Sequence, residues 1–126
     1  MPAAGRAAEK VYPSNEVKML PGIFRLKKRY DFSRAYYKGR AKACTEFVLY
    51  RYYRKGREIR IGFSASKKLG HAVARNRIKR IFRHAAYSNL DKFLPGGDYI
   101  FVIRKAALSR SYTDIETQIK KMLKEE

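Results

Sequence analysis

Arg75, Arg77, Lys79, Arg80 and Arg83, with Asn76 among them, are the residues of this sequence whose types and spacing suit chemistry. That chemistry is phosphate recognition, because guanidinium groups offer paired N–H donors that match phosphate oxygens two at a time. At about 100° per residue, a helix over this run puts Ala74, Ile78, Ile81, Phe82 and Ala85 on one apolar stripe. Asn76, Lys79, Arg80 and Arg83 fall opposite, with Arg75, Arg77 and His84 on the flanks. No acid occurs between Lys67 and Leu90. Like charges four apart, as in Arg75–Lys79 and Lys79–Arg83, repel by about 0.2–0.5 kcal/mol per pair. A polyanion lying along the face relieves that repulsion, which favours a binding surface over a merely solubilising one.

A second constellation is aromatic. Tyr50 and Tyr52 share one strand face, opposite Phe47 and Leu49. Aligned across a hairpin with Gly62 and Ser64, they form an open face on which splayed bases stack, and Gly62 lets a nucleotide strand approach the backbone. Phe32 and Tyr36, one helical turn apart, wall that cleft, although a helix aromatic such as Phe32 is more often core than contact.

Catalytic groups are sparse. Asp31, Glu46, Glu58, Asp91, Asp98, Asp114 and Glu116 are scattered, with no close pair of the kind that holds two metal ions. Asp31 and Asp114 read as helix-start residues and Asp98 as a turn or strand-edge residue. Lys67-Lys-Leu-Gly70 lacks phosphate-loop spacing, yet Gly70 and the backbone entering the basic helix can receive a phosphate. His71, His84 and Cys44 have no metal-ligand spacing, and both histidines read as surface or helix-flank residues. The single cysteine excludes an intrachain disulfide and reads as a small apolar residue near a strand start.

The elements that must position these residues follow from pattern. Residues 1–19 read as a flexible tail, with Met19 an alternative start, and residues 20–126 as a single domain that binds a polyanion. A helix is expected over Lys27–Lys38, stopped by Gly39, then a brief strand at Arg40–Cys44. Glu46–Tyr53 is β-branched and aromatic, and Arg57–Ser66 alternates, with Arg54-Lys-Gly56 as the hairpin turn that makes the two antiparallel neighbours. The basic helix runs over Ala72–Tyr87, a strand over Asp98–Arg104, and a final helix starts from a capping box at Thr113-Asp-Ile-Glu116. The order αβββαβα gives an α+β sandwich, a small mixed sheet with three helices.

Composition fits this reading. With 30 Lys+Arg against 11 Asp+Glu, the formal net charge is +19, which calls for a phosphate-rich partner. The longest apolar run, Tyr99–Ile103, is too short to cross a membrane, and no signal-peptide core is present, so a cytoplasmic protein is expected. A peripheral membrane role is disfavoured because no helix pairs a basic face with an aromatic membrane-facing one.

Ala74-Arg-Asn-Arg-Ile-Lys-Arg80 with Arg83, preceded by Gly62-Phe-Ser-Ala-Ser-Lys-Lys-Leu-Gly70, closely resembles the signature of the bacterial ribonuclease P protein subunit. The resemblance continues in Arg25-Leu-Lys-Lys28, Asp31-Phe32, Phe47-Val-Leu-Tyr50 and Asp98-Tyr-Ile-Phe-Val-Ile-Arg-Lys105, and covers Leu20 to Leu123. It implies an accessory subunit of a ribonucleoprotein that removes the 5′ leader from precursor tRNA, with chemistry in a catalytic RNA subunit and its magnesium ions. It implies that Arg75, Asn76, Arg77, Lys79, Arg80 and Arg83 face ribonuclease P RNA. A cleft of Phe32, Tyr36, Val48, Tyr50, Ser64 and Lys68 would hold the leader of precursor tRNA. It also implies a left-handed βαβ crossover, no catalytic residue or metal site in this chain, no membrane and no small-molecule substrate. The rivals are a structural RNA-binding protein of ribosomal type, which the charge alone supports equally, and a protein-only nuclease, which the missing carboxylate cluster disfavours.

Overall fold

The computed structural model describes residues 25–124, so the expected tail over residues 1–19 and the start at Met19 lie outside the described residues. Its helices and strands are α1 (Arg29–Lys38), β1 (Arg40–Ala43), β2 (Phe47–Tyr53), β3 (Arg60–Ser64), α2 (Ala72–Ser88), β4 (Gly97–Ile103) and α3 (Tyr112–Lys124), in the expected order. α1 starts at Arg29, two residues later than Lys27, and ends where the Gly39 N–H donates to the Ala35 carbonyl at 3.0 Å. A Cβ on Gly39 would lie 2.4 Å from the Arg51 carbonyl oxygen, so the helix leaves β2 too closely for any side chain.

α3 starts from a reciprocal cap two residues earlier than expected. The Asp114 N–H donates to Ser111 Oγ at 3.2 Å, and the Ser111 N–H donates to Asp114 Oδ2 at 3.3 Å. Thr113 and Glu116 have the same spacing. Glu116, however, accepts from Asn89 Nδ2 at 3.0 Å, the buried amide just past the end of α2, which leaves the cap to Asp114.

The four strands form one sheet in the order β1-β2-β4-β3. This overturns the expected β2–β3 hairpin: β4 lies between them, antiparallel to β2 and parallel to β3, and α2 supplies the crossover. The physical reason is burial. β4 is apolar on both faces and buried along nearly its whole length, so it occupies a central position. Arg54-Lys-Gly56 still turns the chain, but toward β4: the Arg54 N–H donates to the Gly96 carbonyl at 2.9 Å, and the Gly96 N–H donates to Glu58 at 3.1 Å. Gly96 has φ +81°, and a Cβ there would meet the Gly56 carbonyl at 2.8 Å, so two glycine turns pack directly together.

Side chains alternate across the sheet and divide the interior in two. Phe47, Leu49, Ile61, Tyr99, Phe101 and Ile103 face α2 and α3, meeting Ile78, Phe82, Ala85, Ile115, Ile119 and Leu123 in the main core. Ile100, Val102, Tyr50 and Tyr52 face the other way, toward Leu26, Phe32 and Ala35. Among the described helices, α1 alone lies on this face.

Candidate nucleic-acid interface

α2 presents its basic residues as the pattern requires. Ile78, Phe82 and Ala85 are buried against the sheet, while Asn76, Arg77 and Arg80 are exposed and Arg75, Lys79 and Arg83 are half-buried. Among the described residues, none of these cations has an ion-pair partner. Arg75 Nε donates to the Gly70 carbonyl at 3.1 Å, which ties its guanidinium to the turn entering the helix. Burial, and then the nearby positive charge of Arg25, disfavour the charged form of Arg83. A phosphate beside Arg83 would favour its charged form again. Arg25 belongs to this face, and helical periodicity could not find it, because it lies outside any helix; its only sequence signal was its place in a family-like block. His84, expected on a flank, is instead buried, and burial followed by the charge of Arg80 pushes its pKa down. Its helical angle is intermediate, and only the packing decided which side it took.

The aromatic cleft forms between α1 and the sheet. Tyr36 meets Tyr50 edge to face with ring centroids 5.0 Å apart, and Phe32 stands 6.4 Å from Tyr36. Burial raises the Tyr36 pKa above its ordinary value, partly offset by a hydrogen bond with Ser64, so the phenol is neutral at physiological pH. Beyond these rings the register carries one row across the sheet: Val48 pairs with Val102, and Val102 with Ser64. All three are half-buried, an uncharged shelf beside two tyrosines. Val102, absent from the expected set, completes it, because the place of its strand between β2 and β3 could not be read from local sequence. Lys68 is exposed in the 3-10 turn Lys67–Leu69, four residues past Ser64 and directly before α2. Phe32, Tyr36 and Tyr50 thus stand together between α1 and the sheet, Val48 and Ser64 lie on one row of the sheet through Val102, and Lys68 follows Ser64 in the chain.

Two parts of the expected platform change. Tyr50 does not pair with Gly62; both flank Ile100 on β4. Gly62 is buried, and a Cβ there would lie 2.7 Å from the Phe32 ring, so the glycine accommodates Phe32 and not a nucleotide strand. Tyr52 carries the Arg34 guanidinium over its ring at 4.7 Å, which removes it from the open shelf.

Arg34 belongs to the cluster that fixes α1. Asp98, expected at a turn or edge, is fully buried in β4 and accepts from Arg54 Nε at 2.9 Å, Arg60 Nε at 3.0 Å, Arg60 Nη2 at 3.2 Å and Arg34 Nη2 at 3.3 Å. Asp31 of α1 accepts from Arg34 at 3.2 Å and from Arg60 at 3.2 Å, joining the helix to β3 and β4. An aspartate in a strand signals an edge on local grounds; three arginines gathered from distant positions override that signal.

A family model described as Ribonuclease P matches residues 20–126. The ribonuclease P protein component of Clostridium kluyveri is 36% identical over 104 residues, 81% of this chain and 93% of that protein. The structure of the Staphylococcus aureus RNase P protein is similar at a TM-score of 0.73 and 37% identity, covering 80% of this chain and 93% of that one. A mutant of that protein with defective mRNA degradation activity gives a TM-score of 0.75 at 38% identity, covering 80% and 86%.

Proposed function

This chain belongs to the ribonuclease P protein family and serves as a protein subunit of that enzyme, and we propose that its two surfaces hold two different RNAs. The acid-free face of α2, with Arg75, Asn76, Arg77, Lys79, Arg80 and Arg83, binds the RNA subunit. The cleft of Phe32, Tyr36, Val48, Tyr50, Ser64 and Lys68 binds the single-stranded 5′ leader of precursor tRNA, in the bacterial cytoplasm. No helix among the described residues is long and apolar enough to cross a membrane. The observation that carries this reading is the uncharged Val48–Val102–Ser64 shelf. It lies beside the Tyr36–Tyr50 pair and leads through the Lys67–Leu69 turn into the basic helix. A ribosomal-type role is not favoured, because the family match spans the whole described domain.

Hydrolysis belongs to the RNA subunit and the magnesium ions it holds. Among the described residues, the buried carboxylates do not fit a magnesium centre. Asp31 and Asp98 are occupied by arginines, and Glu46 by Arg110 at 2.8 Å. Among the described residues no cluster of three or more His, Cys, Asp or Glu side chains could hold a metal ion. The protein freed of RNA is expected to leave precursor tRNA intact across a magnesium titration, and to permit leader removal once a cognate RNA subunit is added. Cleavage of precursor tRNA by RNA-free protein would defeat the accessory role. An mRNA substrate run in parallel asks separately whether this chain has the mRNA degradation activity attributed to the S. aureus protein.

The basic face acts through phosphates. Arg75→Ala is expected to lower the salt dependence of RNA-subunit binding, reducing the slope of log K against log salt by about 0.7–0.9 for one lost contact. An unchanged slope with unchanged affinity would place the RNA subunit elsewhere.

A further inference from the structure

Apart from the cleft, α1 carries a second aromatic surface. Tyr30 and Tyr37 are 67% and 88% exposed, among the most open large side chains of the described residues. They are seven residues apart, so they point the same way, about 10 Å apart along the helix, with the small Ser33 between them. That direction is opposite Asp31 and Ala35, the residues that seat the helix. Exposed Lys27, Lys28, Arg29, Lys38 and Arg40 surround the pair, and the only acid of α1, Asp31, is buried under arginines. The Arg34 guanidinium lies over the Tyr30 ring, 5.3 Å from its centroid.

We infer that this outer face of α1 is a stacking track for single-stranded RNA, which takes leader nucleotides beyond those held in the cleft. Rings framed by cations fit a partner with flat bases and phosphates. A second copy of this chain does not fit, since it would bring the same positive charge to the face. Continuity with the cleft comes from sequence: Tyr36 on the cleft wall and Tyr37 on the outer face are consecutive, turned by about 100° on one helix. A strand leaving the shelf past Tyr36 meets Tyr37 next and Tyr30 two turns back. The inference rests on the leader-cleft reading but involves separate side chains.

The test uses the full chain assembled with its RNA subunit, and precursor tRNAs with two leaders. One leader only fills the cleft, and the other is extended by several unpaired nucleotides. Wild type is expected to bind the long leader more tightly. Tyr37→Ala should abolish that gain, weakening the long-leader complex by about fivefold or more while leaving the short-leader complex unchanged. Tyr37→Phe should retain the gain, since stacking needs the ring. Tyr37 lies at the surface, so circular dichroism should show an unaltered fold. Absence of any length effect in wild type, or equal affinities for Tyr37→Ala and wild type, would overturn the track. So would equal losses on both leaders, or concentration-dependent dimers in sedimentation that Tyr37→Ala abolishes. Failure of the cleft reading is recognised separately, by Tyr36→Ala and Tyr50→Ala leaving short-leader binding intact.

Discussion

Asp98→Asn is expected to destabilise the protein by about 3–5 kcal/mol, the usual effect of removing one partner from a buried ionic cluster. Asp98 is fully buried, and its carboxylate faces the guanidinium groups of Arg34, Arg54 and Arg60, whose side chains are 19%, 10% and 24% exposed. The amide keeps the shape but not the charge, so three cations would share Asp31 and the exposed Glu58. Against a typical domain stability of about 5–15 kcal/mol, such a loss is a large fraction. Urea denaturation should show a lower midpoint with an unchanged slope. Because the cluster anchors α1 through Asp31 and Arg34, leader affinity should also fall under conditions where the variant is still folded. A variant within 1 kcal/mol of wild type would mean that the arginines rehydrate at little cost, and that the apolar contacts of α1 alone hold the helix.

Tyr36→Ala and Tyr50→Ala are each expected to weaken precursor binding by about 1–3 kcal/mol, or roughly five- to more than a hundredfold. Affinity for the RNA subunit should be nearly untouched, because α2 packs on the opposite face of the sheet. The two rings touch edge to face at 5.0 Å, so each supports the other. The double variant should therefore lose less than the sum of the single losses, a coupling that a double-mutant cycle measures. Mature tRNA, which lacks a leader, should be indifferent to either change, and Phe at either position should retain most of the binding. Circular dichroism is the necessary control, since Tyr50 is half-buried. Equal losses with leaderless and full-length substrates in well-folded variants would show that these tyrosines are not a leader site.

Helices and strands were legible where periodicity and punctuation agree. α2 runs over Ala72–Ser88, one residue longer than the pattern implies, because an apolar stripe at helical spacing is a local property. Gly39 ended α1 as expected, for a reason the sequence did not carry: the approach of the Arg51 carbonyl. The cap of α3 was misplaced by two residues because Asn89, far away in sequence, competes for Glu116.

By itself the sequence determined the order of elements, the amphipathic basic helix and a polyanionic partner, and it displayed the blocks by which the family is recognised. Each of these depends on residue type and short spacing. Tertiary structure alone decided that β4 enters between β2 and β3, because a strand with two apolar faces must be covered on both. That single insertion displaced Tyr50 from Gly62, completed the Val48–Val102–Ser64 shelf, and carried Asp98 into the midst of three arginines. Pairings across such separations are chosen by the burial they achieve together, which no local window of the chain contains.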